Sequence, residues 1–195
     1  MSAKAQNWTP GQPVQLETER FLIRSLTVED VTDRYMGWLQ DEEVTQYLNA
    51  RRRNNDKSEI QQYVAQHDNI TSFHVGIFTK DDNLHIGNFS LRHDPTNDLV
   101  QISLLIGEKE WWGKGVVLEA RARLLDFAFD ELDAYKVWGN PIARNFAAVF
   151  NYQKQGFVKE GTFRGHKKTE TGERFDLFQF AILRDDWEAL KRNGG

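Results

Sequence analysis

"EWWGKGVVLEARARLLDFAF", residues 110–129, is the stretch whose reading decides the fold. Trp111 and Trp112 lead into Gly113-Lys114-Gly115, and the residues after them recur at helical spacing: Val117, Ala120, Leu124, Leu125, Ala128, Phe129 and Leu132 share one face. An apolar run ends just upstream at Ile106, so the segment reads as strand, glycine turn and long helix. The first turn of a helix offers N–H groups with no internal partner and the positive end of the macrodipole, and glycines let backbone approach an anion closely. Lys114 would add a charge. A Gly-x-Gly turn is also a common plain connector. This one lacks the Ser or Thr that follows Gly-Lys in a P-loop, and Leu118 stands where a dinucleotide fingerprint needs its third glycine. Taken alone, the turn leaves both a phosphate cradle and a simple connection open.

Outward from this turn the pattern is mixed. Residues 72–79, 84–92 and 99–106 are apolar runs separated by the turn clusters at 80–83 and 94–98, which predicts an antiparallel meander. Upstream, 16–27 alternates as one strand, and helices are expected over about 28–40, 41–48 and 58–67. Downstream, a strand at 135–139, a helix at 145–155, two strands within 157–183 and a short helix from Asp185 follow. The class is α+β, or mixed α/β: a mostly antiparallel twisted sheet of about 6–7 strands flanked by helices. Residues 1–14 are polar, carry Pro10, Gly11 and Pro13, and read as a flexible arm; 15–192 form one domain.

Composition narrows function. In 195 residues there is no cysteine, which excludes disulfides, thiolate metal sites and a cysteine nucleophile. No spacing of His and acids suggests a metal. A net charge of -4 argues against a general nucleic-acid binder and mildly favours cationic substrates. Apolar runs fall short of a membrane span, and the N-terminus lacks the apolar block of a secretory signal, so a cytoplasmic protein, monomer or homodimer, without membrane partners is expected.

A second motif resolves the turn. "NFAAVFNYQKQGF", residues 145–157, together with "EWWGKG", 110–115, resembles the GNAT superfamily of N-acetyltransferases, in the branch containing ribosomal-protein N-terminal, spermidine and amino-sugar acetyltransferases. Asn145, Ala148, Tyr152, Gly156 and Phe157 match the family's later segment in full; Glu110 departs from the Gln or Arg that opens the family's turn. The resemblance covers about Leu16 to Leu190 and implies an acetyl-CoA co-substrate and a small-molecule amine acceptor. It implies that backbone N–H groups of Trp112, Gly113, Lys114, Gly115, Val116 and Val117 hold the pyrophosphate. Leu104, Leu105 and Ile106 would splay from the neighbouring strand to pair with the pantetheine arm, with the Leu105 amide facing the thioester oxygen. Asn145 would bond the same arm beside Ala148, and Tyr152 would be the general acid.

For the general base the residues leave several choices. Where some relatives keep a glutamate, five residues before Asn145, this chain has Asn140, which can only orient a water. His74, His85, His93 and Glu108 are further candidates. The acceptor is expected among the early helices, the meander turns and the 164–175 loop between the last two strands, with Trp38, His93 and the basic run Arg51, Arg52 and Arg53 as contacts for a nucleotide-linked amino sugar. Acetylation of a protein N-terminus and a non-catalytic acyl-CoA sensor are the alternatives.

Overall fold

The computed structural model describes residues 8–48, 56–168 and 172–193. Its described residues form eight strands in one sheet: β1 (Gln15–Glu17), β2 (Phe21–Ser25), β3 (Ser72–Thr79), β4 (His85–Asp94), β5 (Leu99–Ile106), β6 (Lys136–Gly139), β7 (Val158–Lys168) and β8 (Arg174–Leu183). The helices are α1 (Asp33–Gln40), α2 (Glu42–Thr45), α3 (Lys57–Ala65), α4 (Val116–Asp130), α5 (Phe146–Lys154) and α6 (Arg184–Arg192). The expected α+β class holds. One more strand appears than the upper expectation, because the run 16–27 is broken by a turn at 18–20, where the Phe21 N–H donates to Thr18 Oγ1 at 2.9 Å and folds β1 back on β2.

Strand order is β1-β2-β3-β4-β5-β6-β8-β7, antiparallel throughout except for the β5–β6 pair. Side chains alternate between two faces, and each face has its own core. Phe73, Val75 and Ile77 of β3 join α4 residues such as Ala120, Leu124 and Ala128 on one side, whereas Phe78 and Leu105 join the α1–α3 layer through Tyr35, Trp38, Leu39, Val44 and Ile60. Residues of the segment expected to be an arm, from Trp8 onward, lie against the first core: the Trp8 ring centroid is 5.2 Å from that of Phe127 and 5.8 Å from that of Phe73. Among the described residues no helix is long and apolar enough to cross a membrane.

Candidate active site

Two neighbouring strands part company here. β5 and β6 are paired only at Leu99–Lys136, Val100–Val137 and Gln101–Trp138; β6 stops at Gly139 while β5 continues to Ile106. A side chain from α5 occupies the resulting gap. Tyr152 is buried, its Oη donates to the Ile102 carbonyl at 3.4 Å, and its ring stacks on Phe180 with centroids 5.3 Å apart and meets Phe157 edge-on at 4.9 Å. Gly139 makes this possible, because a Cβ there would stand 2.9 Å from Tyr152 Cζ and closer still to Oη. α5 itself starts where it does because Asn145 caps it: the Ala148 N–H donates to Asn145 Oδ1 at 3.0 Å.

On the open side, β5 presents backbone groups. The bond from Gly107 N–H to Ile86 O, 3.0 Å, fixes the antiparallel alternation between β4 and β5, so that Leu105, opposite Asn88, belongs to the β4 ladder. The even-numbered residues turn the other way: Ile102 O takes the Tyr152 hydroxyl, and Ile106 O accepts from Trp112 Nε1 at 2.9 Å. The expected donor therefore shifts. By this alternation the N–H groups of Leu104 and Ile106, not that of Leu105, face the opening.

At the far end of β5 lies the glycine turn. Gly113 and Gly115 have φ of 73° and 75°, left-handed values that a side chain would strain, and a Cβ at Gly113 would meet nothing within 4 Å. No side chain caps α4 at Gly115, and the first intrahelical bond is Glu119 N–H to Gly115 O, so the amides of Val116, Val117 and Leu118 precede any helical partner. A turn that lacks a Cβ at Gly113 and Gly115 and leads into amides without helical partners suits a diphosphate. Trp111 packs edge-on against Phe21, centroids 5.6 Å apart, and Lys114 Nζ lies 5.4 Å from the Trp111 ring centroid.

A continuous cleft of about 440 Å³ joins these parts. Among the residues singled out from sequence, Leu104, Leu105, Ile106, Trp112, Gly113, Gly115, Val116, Val117, Asn145, Ala148 and Tyr152 line it. Lys114 sits on the turn, outside the lining. Trp38 is buried behind the cleft-lining Val44 and Leu105, with Nε1 donating to Glu108 Oε1 at 2.8 Å, and does not itself line the cleft. Asn140 donates its side-chain amide to Gln179 on β8, and His93 pairs with Val100, five residues along β5 from Leu105, its Nδ1 3.4 Å from Ile70 O. Neither lines the cleft. Arg51, Arg52 and Arg53 lie outside the described residues.

The other base candidates are engaged elsewhere. His74 Nε2 is 3.0 Å from Tyr35 Oη and its Nδ1 is 2.8 Å from Ser90 Oγ; His85 Nε2 is 2.7 Å from Asn88 Oδ1, and burial holds its pKa below the usual value. Glu108 accepts from both Arg34 and Trp38 at 2.8 Å. Sequence reading missed the wall from α2 and the turn after it: Glu43, Gln46 and Tyr47 line the cleft, with Lys109 Nζ 2.7 Å from Glu43 Oε2. These residues belong to the short helix expected at 41–48, and nothing in that pattern shows that they face a cavity. It also missed Arg121, visible as a lone cation in the apolar stripe of α4.

Burial raises the Tyr152 pKa above the normal phenol value, partly opposed by the nearby Arg121 guanidinium. The group is therefore a protonated acid at neutral pH. Diverging parallel strands, an uncapped glycine-rich helix start and a buried phenol between them line one cleft. The chain belongs to the GNAT acetyltransferases: the family model described as an acetyltransferase (GNAT) domain matches residues 20–158. It is an acetyl-CoA-dependent N-acetyltransferase. A probable N-acetyltransferase, YjcK, of Bacillus subtilis (strain 168) is 32% identical over 135 residues, 68% of this chain and 73% of that protein. An uncharacterized N-acetyltransferase, p20, of Bacillus licheniformis is 25% identical over 177 residues, 88% of this chain and 97% of that protein. The fold is shared with a spermidine N-acetyltransferase from Vibrio cholerae solved with CoA and spermine, at a TM-score of 0.77 and 19% identity over 86% of this chain and 98% of that one.

Proposed function

We propose that this enzyme transfers the acetyl group of acetyl-CoA to the primary amine of a small molecule, an amino sugar being the preferred acceptor, by direct attack with Tyr152 as general acid. The observation that carries the reading is the position of Tyr152: its hydroxyl stands where β5 and β6 diverge, in the same cleft as the amides of the Gly113–Gly115 turn. Amides of Val116 to Leu118 would hold the diphosphate, and Asn145 Nδ2, left over from capping, would bond the pantetheine arm. The Leu104 N–H, two residues along from Ile102, would polarise the thioester oxygen, a preorganised donor worth about 3–4 kcal/mol of barrier. Tyr152 would give its proton to the departing sulfur, typically about 10²–10⁴ in rate.

The acceptor would lie against α2. Glu43, Gln46 and Tyr47 offer a carboxylate, an amide and a hydroxyl, groups that match an ammonium flanked by hydroxyls. Mass spectrometry of products formed from acetyl-CoA with amino sugars, nucleotide-linked amino sugars, polyamines and N-terminal peptides tests this. The expected result is thiol release coupled to one acetylated amino sugar. Exclusive acetylation of peptides would refute the acceptor class, and CoA binding with no thiol release for any amine would refute catalysis.

A further inference from the structure

Arg121, on the second turn of α4, is fully buried and heads the large side chains that are. Its Nη2 donates to the Asn151 carbonyl at 2.6 Å and its Nε to Gln155 Oε1, which ties α4 to α5. Nη1 is buried with no hydrogen-bond partner, and among the described residues no carboxylate answers the charge. What faces the cation is aromatic: the guanidinium carbon lies 4.4 Å from the Tyr152 ring centroid and 5.0 Å from that of Phe157. A cation in such a place is unfavourable for folding, and an apolar residue of similar volume would usually do as well or better. The neighbours Val117, Ala120, Leu124 and Leu125 show that an apolar residue would suit the face.

We propose that Arg121 is a positioning residue for Tyr152: its buried cation stabilises the negative charge left on the phenol oxygen once the proton has gone to the departing sulfur. This rests on Tyr152 acting as the acid. In that step the Oη–H bond breaks as an S–H bond forms, the acyl carbon passes from sulfur to the amine nitrogen, and the amine's surplus proton goes to water. The phenolate then regains a proton from water. A cation over a neutral ring is held modestly; over an anionic ring it is held strongly, so the interaction grows in the direction of reaction. Arginine fits the task because its plane can lie on the ring while its edge donates to Asn151 and Gln155, which a lysine ammonium cannot do. Burial lowers the Arg121 pKa to about 10, so the charge persists at neutral pH.

The test is a double-mutant cycle read in kcat, with KM for acetyl-CoA and Tm measured alongside. Arg121→Met is expected to lower kcat at least tenfold and leave KM within twofold, with Tm as the control for the lost bonds to Asn151 and Gln155; in a Tyr152→Phe background the same substitution should cost less than twofold. Arg121→Gln, which keeps hydrogen-bonding groups and loses the charge, carries the same expectation should the Met variant fold poorly, and Arg121→Lys should recover part of kcat. Equal cost in both backgrounds, or a loss expressed in KM, would overturn the inference while leaving the acid in place. An unchanged kcat for Tyr152→Phe alone would overturn the acid assignment, and this inference with it.

Discussion

Gly139→Ala is the smallest change that reaches the proposed acid, Tyr152, without replacing it. Gly139 is absent from the glycines of positive φ, so alanine meets no backbone strain there. The new methyl would instead stand 2.9 Å from Tyr152 Cζ and 2.9 Å from the Ile102 carbonyl, where ordinary contact begins near 3.4 Å. The ring must therefore retreat by at least about half an ångström, and Oη, nearer to the methyl, by more. Misplacing a reacting group by about 1 Å can cost on the order of 10²-fold, so kcat is expected to fall by about 10- to 100-fold. Overpacking of this kind destabilises by about 1–3 kcal/mol, which a 195-residue chain registers as a Tm loss of several degrees.

Thiol release under saturating acetyl-CoA and the identified amine gives kcat, and calorimetry gives Tm. The control is Tyr152→Phe: it deletes the closest atom, leaves Cζ, and should return part of the lost Tm when combined with Gly139→Ala while leaving kcat at the level of Tyr152→Phe alone. A Gly139→Ala enzyme that folds and turns over within twofold of the native rate would refute the placement of the hydroxyl as the reacting acid.

Two other substitutions separate scaffold from chemistry. Glu119 accepts the Arg20 N–H at 2.9 Å and Arg20 Nε at 2.6 Å, which moors the β1–β2 turn to the first turn of α4. Burial pushes the Glu119 pKa up, but hydrogen bonds from Thr18 and Arg20 outweigh it and leave it below the usual value. Its stabilisation is thus present above the ordinary glutamate pKa and fades as pH falls through the lowered one. Glu119→Gln should lower Tm at pH 7 by about 1–4 °C, corresponding to about 0.5–1 kcal/mol for a screened pair, with the difference closing in acid; a gap unchanged at low pH would refute the assignment. Asn145→Asp keeps the acceptor for Ala148 N–H and adds favourable charge at the start of α5, so calorimetry should find Tm held or raised. Loss of the amide donor should still raise KM for acetyl-CoA severalfold, and an unchanged KM would show that Asn145 serves only as a cap.

Most of the fold was legible because its signals are local. The apolar runs at 72–79 and 99–106 and the 3.6-residue period of α4 each depend on residues a few positions apart, and the structure follows them closely. The Gly-Lys-Gly turn and the 145–157 segment likewise brought together the cleft-lining residues from β5, α4 and α5. What failed were assignments that need register. His93 shares a strand with Asn88, yet the strand carries it five residues away from the cleft, and strand membership alone does not say which end faces the site. The choice of the Leu105 amide failed for a similar reason: whether an odd or even residue turns its N–H to the gap is set by pairing with β4, which no spacing within 99–106 reveals. Arg121 was visible as a charge inside an apolar stripe. Its meaning required knowing that Tyr152, on another helix, would lie against it.

The packing of Tyr152 and its proposed proton transfer can be separated. As a ring it fills the gap between β5 and β6, resting on Phe180, Phe157 and the Arg121 guanidinium, contacts that bury it almost completely. As a phenol it adds a hydrogen bond to Ile102 O, which at 3.4 Å lies beyond the usual range and contributes little to holding the strands, and a polar interaction with the Arg121 guanidinium. Phenylalanine would keep every ring contact and lose that bond, the hydroxyl's interaction with Arg121 and the proton. The divergence of the strands, and with it the backbone of Leu104 and Ile106 facing the cleft, is therefore expected to survive in Tyr152→Phe. A fall in its turnover then measures proton supply, because the scaffold around the residue has no reason to change.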